Sequence, residues 1–201
     1  MKVAVLDLGL GNLLSIKRGL ERAGAEVEII GSGKNVGADV DAYLLPGVGA
    51  FRDGISALGK FQAAIDAVKS GEKPLLGICL GMQLFFTKSY EGGEFKGLDL
   101  VKGEVVRLPN SLKVPHMGWN SIKILRQSAL ARDLKDGEYF YFGHSYYCRP
   151  AEDVTIAETD YGLGMTAMVE KGNLFGTQFH PEKSGAAGLT VLRNFLEAIR
   201  R

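Results

Sequence analysis

The run PLLGICLGMQLFF, Pro74 to Phe86, sets a short buried-type strand directly against a helical pattern, with Gly77-Ile78-Cys79-Leu80-Gly81 at the junction. That is the layout of a nucleophile elbow, a strained strand-to-helix turn whose small flanking residues let the two backbones approach closely. The nucleophile here would be sulfur. A thiol at a helix N-terminus feels the positive end of the helix dipole, which favours the thiolate. The backbone N–H of Leu80 would then face a developing oxyanion. Taken alone, the motif fits an inert buried cysteine between two tight-packing glycines equally well.

Outward from this run, the first half of the chain alternates strand-like and amphipathic segments: KVAVLDL, LLSIKRGLERAG, EVEII, AYLLPG and ISALGKFQAAIDAVKSG. This is βαβ rhythm, and it predicts parallel strands buried on both faces. Leu13, Ile16 and Leu20 recur at helical spacing between a candidate N-cap, Asn12, and a candidate C-terminal glycine, Gly24. From about Leu98 the pattern changes to short runs with turn signals, LVKGEVVRL, SIKIL, YFYFGHSYY, DVTIAET, MTAMVEK and NLFGTQF, which read as antiparallel or mixed strands. A last helix is expected over Leu189 to Arg200, with Leu192, Phe195, Leu196 and Ile199 on one face. The chain carries no internal repeat, low-complexity tract or linker. The expected architecture is one flavodoxin-like α/β domain over residues 1–201. Its central, mostly parallel sheet would be flanked by helices and extended by antiparallel β additions in the C-terminal half.

Composition bounds the partners. The 201 residues are 46% apolar, enough for one sizeable core, and 24 Lys+Arg against 23 Asp+Glu leave a net charge of +1. No charge excess recruits nucleic acid or an anionic membrane. Two cysteines are too few for a disulfide framework, so a reducing, cytoplasmic setting is expected. The opening MKVAVLDLGLGN is interrupted by Asp7 and is too short for a signal core, and no later run approaches membrane-spanning length.

Near the C-terminus, GTQFHPEKS places His180 and Glu182 on either side of Pro181. A residue before proline is biased to extended backbone, where positions i and i+2 project to the same side, so Glu182 is expected to reach the His180 ring. A carboxylate bound to one ring nitrogen fixes the tautomer and leaves the other free to exchange protons with a thiol. The alternative is a loop histidine satisfied by its neighbour for structural reasons. A third feature, LLPGVGAF from Leu44 to Phe51, ends a strand in a glycine-rich turn. Open α/β sheets place ligands at such ends. Backbone N–H groups of Gly47, Val48 or Gly49 could hold substrate or supply the second oxyanion donor, and the competing reading is a plain tight turn.

Together GICLGMQ and QFHPEKS resemble the class I, triad-type glutamine amidotransferases. The resemblance spans the chain. The opening DLGLGN, the PGVGAF loop, PHMGWN at Pro115 to Asn120 and FGHSYY at Phe142 to Tyr147 are similar to the branch serving histidine biosynthesis, and PHMGWN, GHSYY and HPEKSG select it over those serving anthranilate, pyridoxal phosphate or purines. Leu8 departs from the aromatic residue usual in the family's DYGxGN, a change that touches local packing only. The resemblance implies a thioester mechanism: Cys79 attacks the side-chain amide of L-glutamine, with His180 as base and acid and Glu182 as its orienter. It also implies substrate contacts from Gln83, Gly47, Gly49, His144 and Ser145, and an ammonia channel into a (β/α)8-barrel cyclase subunit. Trp119, Asn120, Tyr141 and Lys183 are the expected anchors for that partner, being aromatic, amide or cationic residues near these motifs in sequence.

Other residues are read as structural. Cys148 in YYCRP has no useful neighbour and reads as a buried small residue. His116 and His144 lie far apart in no ligand spacing, so no metal site is expected. GLGN lacks the third glycine of a dinucleotide loop, which is replaced by Leu14, so no nucleotide cofactor is expected. Three rivals stay open: a glutaminase for another synthase, a regulatory scaffold without turnover, and a cysteine peptidase sharing the elbow.

Overall fold

The computed structural model describes residues 1–31 and 39–200. In chain order the first half contains β1 (Lys2–Leu6), α1 (Leu13–Ala23), β2 (Glu26–Ile30), β3 (Ala42–Leu45), α2 (Phe51–Leu58), α3 (Gln62–Lys69), β4 (Leu75–Ile78) and α4 (Leu80–Gln83). The strands of the second half are β5 (Phe86–Ser89), β6 (Phe95–Lys96), β7 (Val101–Arg107), β8 (His116–Ser121), β9 (Lys123–Ile124), β10 (Tyr139–His144), β11 (Tyr146–Pro150), β12 (Thr155–Asp160), β13 (Gly164–Lys171) and β14 (Leu174–Thr177). Helix α5 (Gly185–Ala198) follows.

The main sheet has eight strands in the order β2-β1-β3-β4-β14-β13-β12-β9. Pairing is parallel from β2 through β14 and antiparallel from there to β9. The expected fold class is therefore present. Alternation along β1 sends Val3 and Val5 into one core, with Ile16, Leu20, Leu192 and Phe195 of α1 and α5, and Ala4 and Leu6 into the other, with Phe51, Leu58, Ile65 and Val68 of α2 and α3. Two helical layers thus cover the two faces of the sheet. A smaller four-stranded sheet, β11-β7-β5-β6, and the β8–β10 pair complete the molecule.

Four local expectations need correction. Strand β2 is not buried on both faces: it is the sheet edge, and Glu26, Glu28 and Ile29 are exposed. The single amphipathic segment before β4 is two helices, with a 3-10 turn at Gly59–Phe61 that buries Phe61. Glycine is a poor helix-interior residue, which favours the break there. The helical pattern after Cys79 lasts one turn, because Phe86–Ser89 pairs with β7 as a strand instead. Aromatic and β-branched residues favour that outcome. Finally, α5 begins at Gly185, four residues before the expected start.

The caps of α1 are as read. The Asn12 side chain accepts from the Ser15 N–H, and Gly24 closes the helix in the left-handed region at φ 108°. Leu8 is buried. Among the described residues, no helix is long and apolar enough to cross a membrane.

Candidate active site

Strand β4 delivers Cys79 to the carboxyl edge of the parallel sheet, where its backbone turns to φ 54°, ψ −110°. Such a conformation costs a non-glycine residue about 1–3 kcal/mol and survives only where the surroundings impose it. They do so here: the Cys79 N–H donates to the Thr177 carbonyl of β14 at 2.7 Å, and the Cys79 carbonyl accepts from the Gln83 N–H at 3.1 Å. A Cβ on Gly77 would stand 2.7 Å from the backbone of Gly81 and Met82. One on Gly81 would be driven into the Leu45 carbonyl oxygen. The two glycines are therefore what lets α4 fold back across β4 and β3 and lift the cysteine into its strained position.

Return of the chain to the sheet centre brings the second motif. Strand β14 pairs with β4 through Thr177↔Ile78, so the residues after it pass beside Cys79. His180 is held by its N–H to the Tyr141 carbonyl at 2.9 Å, and the Ser184 hydroxyl donates to the His180 carbonyl at 2.6 Å. His180 Nδ1 lies 2.9 Å from Glu182 Oε1. The contact is the expected one, but the route to it differs. Only His180 is extended, at φ −99°, ψ 96°, and Pro181–Lys183 form a 3-10 turn that brings Glu182 back under the ring. Proline starts that turn without loss, since its missing N–H would have had no partner there. The carboxylate accepts from Nδ1–H, leaving Nε2 for the cysteine.

The charge state follows from the surroundings. Burial alone would push the His180 pKa down, yet hydrogen bonds and charge from Cys79 and Glu182 outweigh it and raise the value from 6.5 to about 9. At neutral pH the ring is an imidazolium between sulfur and carboxylate. Glu182 Oε2 is buried with no hydrogen-bond partner among the described residues, so its charge is committed to His180.

A cleft of about 460 Å³ opens over the sulfur, lined among others by Val48, Gly49, Leu80, Gln83, His144 and Ser145. Gly47 is not part of that lining and packs closely against the Leu80 side chain. Gln83 is not a solvated helix residue: it is buried, and its side-chain amide donates to the Tyr146 carbonyl at 2.9 Å and to Gln178 Oε1 at 3.1 Å. The Leu80 N–H, expected to face an oxyanion, instead donates to the Gly47 carbonyl at 3.3 Å. Residue types carry no information on which way a peptide plane turns. While that bond holds, the Leu80 N–H is engaged and not turned to another acceptor.

Sequence reading missed Glu91, which lines the cleft, and Gln178, which is buried beside the sulfur. Glu91 accepts the Phe51 N–H at 2.8 Å, and burial raises its carboxyl pKa. Gln178 places its amide nitrogen 3.6 Å from Cys79 Sγ. Neither sits in a catalytic spacing, and only the β14–β4 pairing and the loop after β5 bring them in. The histidines read as far apart are in fact partners, with His116 Nδ1 3.0 Å from His144 Nε2, because strands β8 and β10 pair them in register. Among the described residues no group of three or more His, Cys, Asp or Glu is placed to hold a metal ion. Cys148 is buried, and burial raises its thiol pKa well above the ordinary value.

The residues read as partner anchors divide between two faces. Trp119 is 56% exposed and meets Tyr141 edge-on at 6.2 Å, with Lys183 Nζ 5.6 Å above the Tyr141 ring. Asn120, the next residue along β8, turns the other way toward His116 and the Asp160 carbonyl.

The family described as glutamine amidotransferase class-I matches residues 4–199. The chain belongs to that family. Among curated relatives of this amidotransferase, imidazole glycerol phosphate synthase subunit HisH of Moorella thermoacetica is 49% identical, over 98% of this chain and 95% of the relative. The protein of the same name from Archaeoglobus fulgidus is 46% identical, over 99% of this chain and 100% of the relative. A solved glutamine amidotransferase from Thermotoga maritima superposes on the amidotransferase with TM-score 0.70 at 16% identity, covering 99% of this chain and 97% of that one, which supports the fold.

Proposed function

We propose that this amidotransferase is the glutaminase subunit of imidazole glycerol phosphate synthase, paired as a heterodimer with a (β/α)8-barrel cyclase subunit in the reducing cytoplasm. Glutamine is hydrolysed to glutamate, and the ammonia passes to the cyclase for synthesis of imidazole glycerol phosphate and the aminoimidazole carboxamide ribonucleotide. The observation that supports the chemistry is the interaction of Cys79, on its elbow in the cleft wall, with His180 and through it Glu182. The histidine branch rests on the full-length similarity to the HisH relatives.

With the proton held on His180, the Cys79 sulfur attacks the side-chain carbonyl carbon of glutamine and forms a C–S bond. The carbonyl electron pair moves onto oxygen, where the Leu80 and Val48 N–H groups would receive it once the Gly47 peptide has turned. His180 gives its proton to the amide nitrogen, the C–N bond breaks and ammonia leaves. Water then attacks the thioester, His180 takes its proton, and glutamate departs as the C–S bond breaks. Glu91 sets a carboxylate in the cleft wall, suited to the α-ammonium group of an amino acid. Gln83, Gly47, Gly49, His144 and Ser145 shape the rest. Glutamate release by the purified chain, alone and with the cyclase plus its phosphoribosyl substrate analogue, tests the reading. Strong stimulation by the complex supports it, and none assigns the chain to another synthase.

Glu182→Gln removes the charge that helps hold the imidazolium, so the His180 pKa falls below about 9. The alkaline limb of kcat/KM in the complex is expected near pH 9 for the wild type, since loss of that proton unmakes the pair, and nearer neutrality for the variant. At neutral pH the variant should lose about 10²-fold in kcat/KM. An unmoved limb in the pH–rate profile would remove Glu182 from the triad.

Exposed Trp119 and Lys183 both meet the half-buried Tyr141 ring, an aromatic and cationic cluster of the kind that anchors a partner, with Asn120 behind it. Trp119→Ala and Lys183→Ala are each expected to weaken the cyclase complex about tenfold or more, measured by calorimetric titration. Unchanged affinity in both would place the interface elsewhere.

A further inference from the structure

The register of β8 and β10 sets His116 opposite His144, both buried, and their hydrogen bonds can run in only one direction. His144 Nδ1 lies 2.9 Å from the Tyr146 carbonyl, which can only accept, so Nδ1 carries the hydrogen. Nε2 of the neutral ring is then an acceptor, and His116 Nδ1, 3.0 Å away, must donate to it. That leaves His116 Nε2 to accept from Asn120 Nδ2 at 3.3 Å. Asn120 is itself fixed: Nδ2 also donates to the Asp160 carbonyl at 2.8 Å, and Oδ1 accepts the Ser121 N–H at 2.8 Å. Burial lowers the pKa of His116 to about 4 and that of His144 to about 3, so both rings are neutral near pH 7.

The chain of contacts continues past Tyr146. Its carbonyl also accepts from Gln83, Gln83 donates to Gln178, and the Gln178 amide lies 3.6 Å from Cys79 Sγ. An unbroken polar path thus joins β8, beside exposed Trp119, to the nucleophile. Packing alone would not call for it. The His116 ring is stacked between Phe142, 4.8 Å away, and Tyr161, 4.0 Å away, a slot that phenylalanine would fill without burying two polar ring atoms.

We propose that His116 is a positioning residue that transmits the seating of strand β8 against the synthase to the Gly143–Tyr146 wall of the glutamine cleft, by holding His144 in one tautomer and one orientation. The proposal rests on the reading that the β8–β10 face docks the synthase. Its physical basis is a contiguous, directional network whose members satisfy one another, so that a shift at Asn120 is felt at Tyr146.

The test compares wild type, His116→Phe and His116→Gln in the complex with the cyclase. Phenylalanine keeps the stack and loses both bonds, whereas glutamine keeps one acceptor and one donor but loses the stack. In His116→Phe the cyclase-stimulated glutaminase rate is expected to fall about tenfold, with cyclase affinity within about twofold of wild type. His116→Gln should recover to within about threefold of the wild-type stimulated rate. Full stimulation of His116→Phe, or a lower rate for His116→Gln than for His116→Phe, would mean a purely steric role and overturn the proposal. Imidazole ¹⁵N shifts of the unmutated chain give a readout independent of variant folding: both rings are expected as Nδ1–H tautomers, and an Nε2–H tautomer at either ring overturns the relay. A wild-type chain that the cyclase does not stimulate would overturn the docking reading instead, and the relay with it.

Discussion

Cys79→Ala is expected to abolish glutamine-dependent synthesis by the complex, a loss of ~10⁴-fold or more, while synthesis from added ammonia continues at the wild-type rate. The size of the loss follows from the chemistry: without sulfur no C–S bond forms, and neither His180 nor Glu182 can replace the covalent step. The second half of the result carries as much information as the first. Cys79 lies in the glutaminase cleft, and its removal leaves a small space in a buried elbow rather than a new charge. Binding of the cyclase should therefore persist, and the cyclase should accept ammonia from solution. Glutamate release and product formation, assayed side by side with each nitrogen source, check both halves. Glutamine-dependent synthesis above about 1% of wild type would remove Cys79 as the nucleophile.

Gly81→Ala should cost about 3 kcal/mol or more and lower the melting temperature by about 6–12 °C, with near-complete loss of glutaminase activity. The added methyl meets the Leu45 carbonyl oxygen, a backbone atom inside the parallel sheet that cannot swing aside as a side chain would. Relief requires α4 to lift from β3, and lifting α4 releases the strained φ of 54° at Cys79. Stability and activity should therefore fall together. Gly59→Ala is the control: Gly59 has ordinary helical dihedrals and open space around its Cβ position, so the change should be neutral or slightly stabilising. Differential scanning calorimetry separates the two cases, and a Gly81→Ala chain melting like wild type would mean that the elbow tolerates a looser crossing.

Both expectations start from motifs visible in the chain. Gly77 and Gly81, on either side of Cys79, announce an elbow because the close crossing excludes side chains at the two glycine positions, a constraint written into residue type. His180 and Glu182 are near enough in sequence that either an extended or a turned backbone brings them together, and the turned one is found. The α1 helix was equally legible, since its apolar spacing and both caps are local features. The LFF run beyond α4 misled for a related reason: apolar residues alone do not distinguish a helix from a strand, and pairing with β7 settled the matter.

By itself, then, the sequence determined the βαβ rhythm, the glycine-flanked turn at Cys79 and the His180–Glu182 contact, because each rests on contacts within a few residues or on sterics that only glycine satisfies. The tertiary structure alone decided where those pieces meet and what surrounds them. The return of β14 beside β4 carries His180 and Gln178 to Cys79 across about 100 residues of intervening chain, a separation of 99 between Gln178 and Cys79. The β8–β10 register joins two histidines that no spacing relates. The Gly47 carbonyl occupies the Leu80 N–H through the facing of a single peptide plane in a glycine-rich loop. Strand partners and peptide orientations are set by contacts between distant segments, so the folded sheet, rather than any local run of residues, selects them.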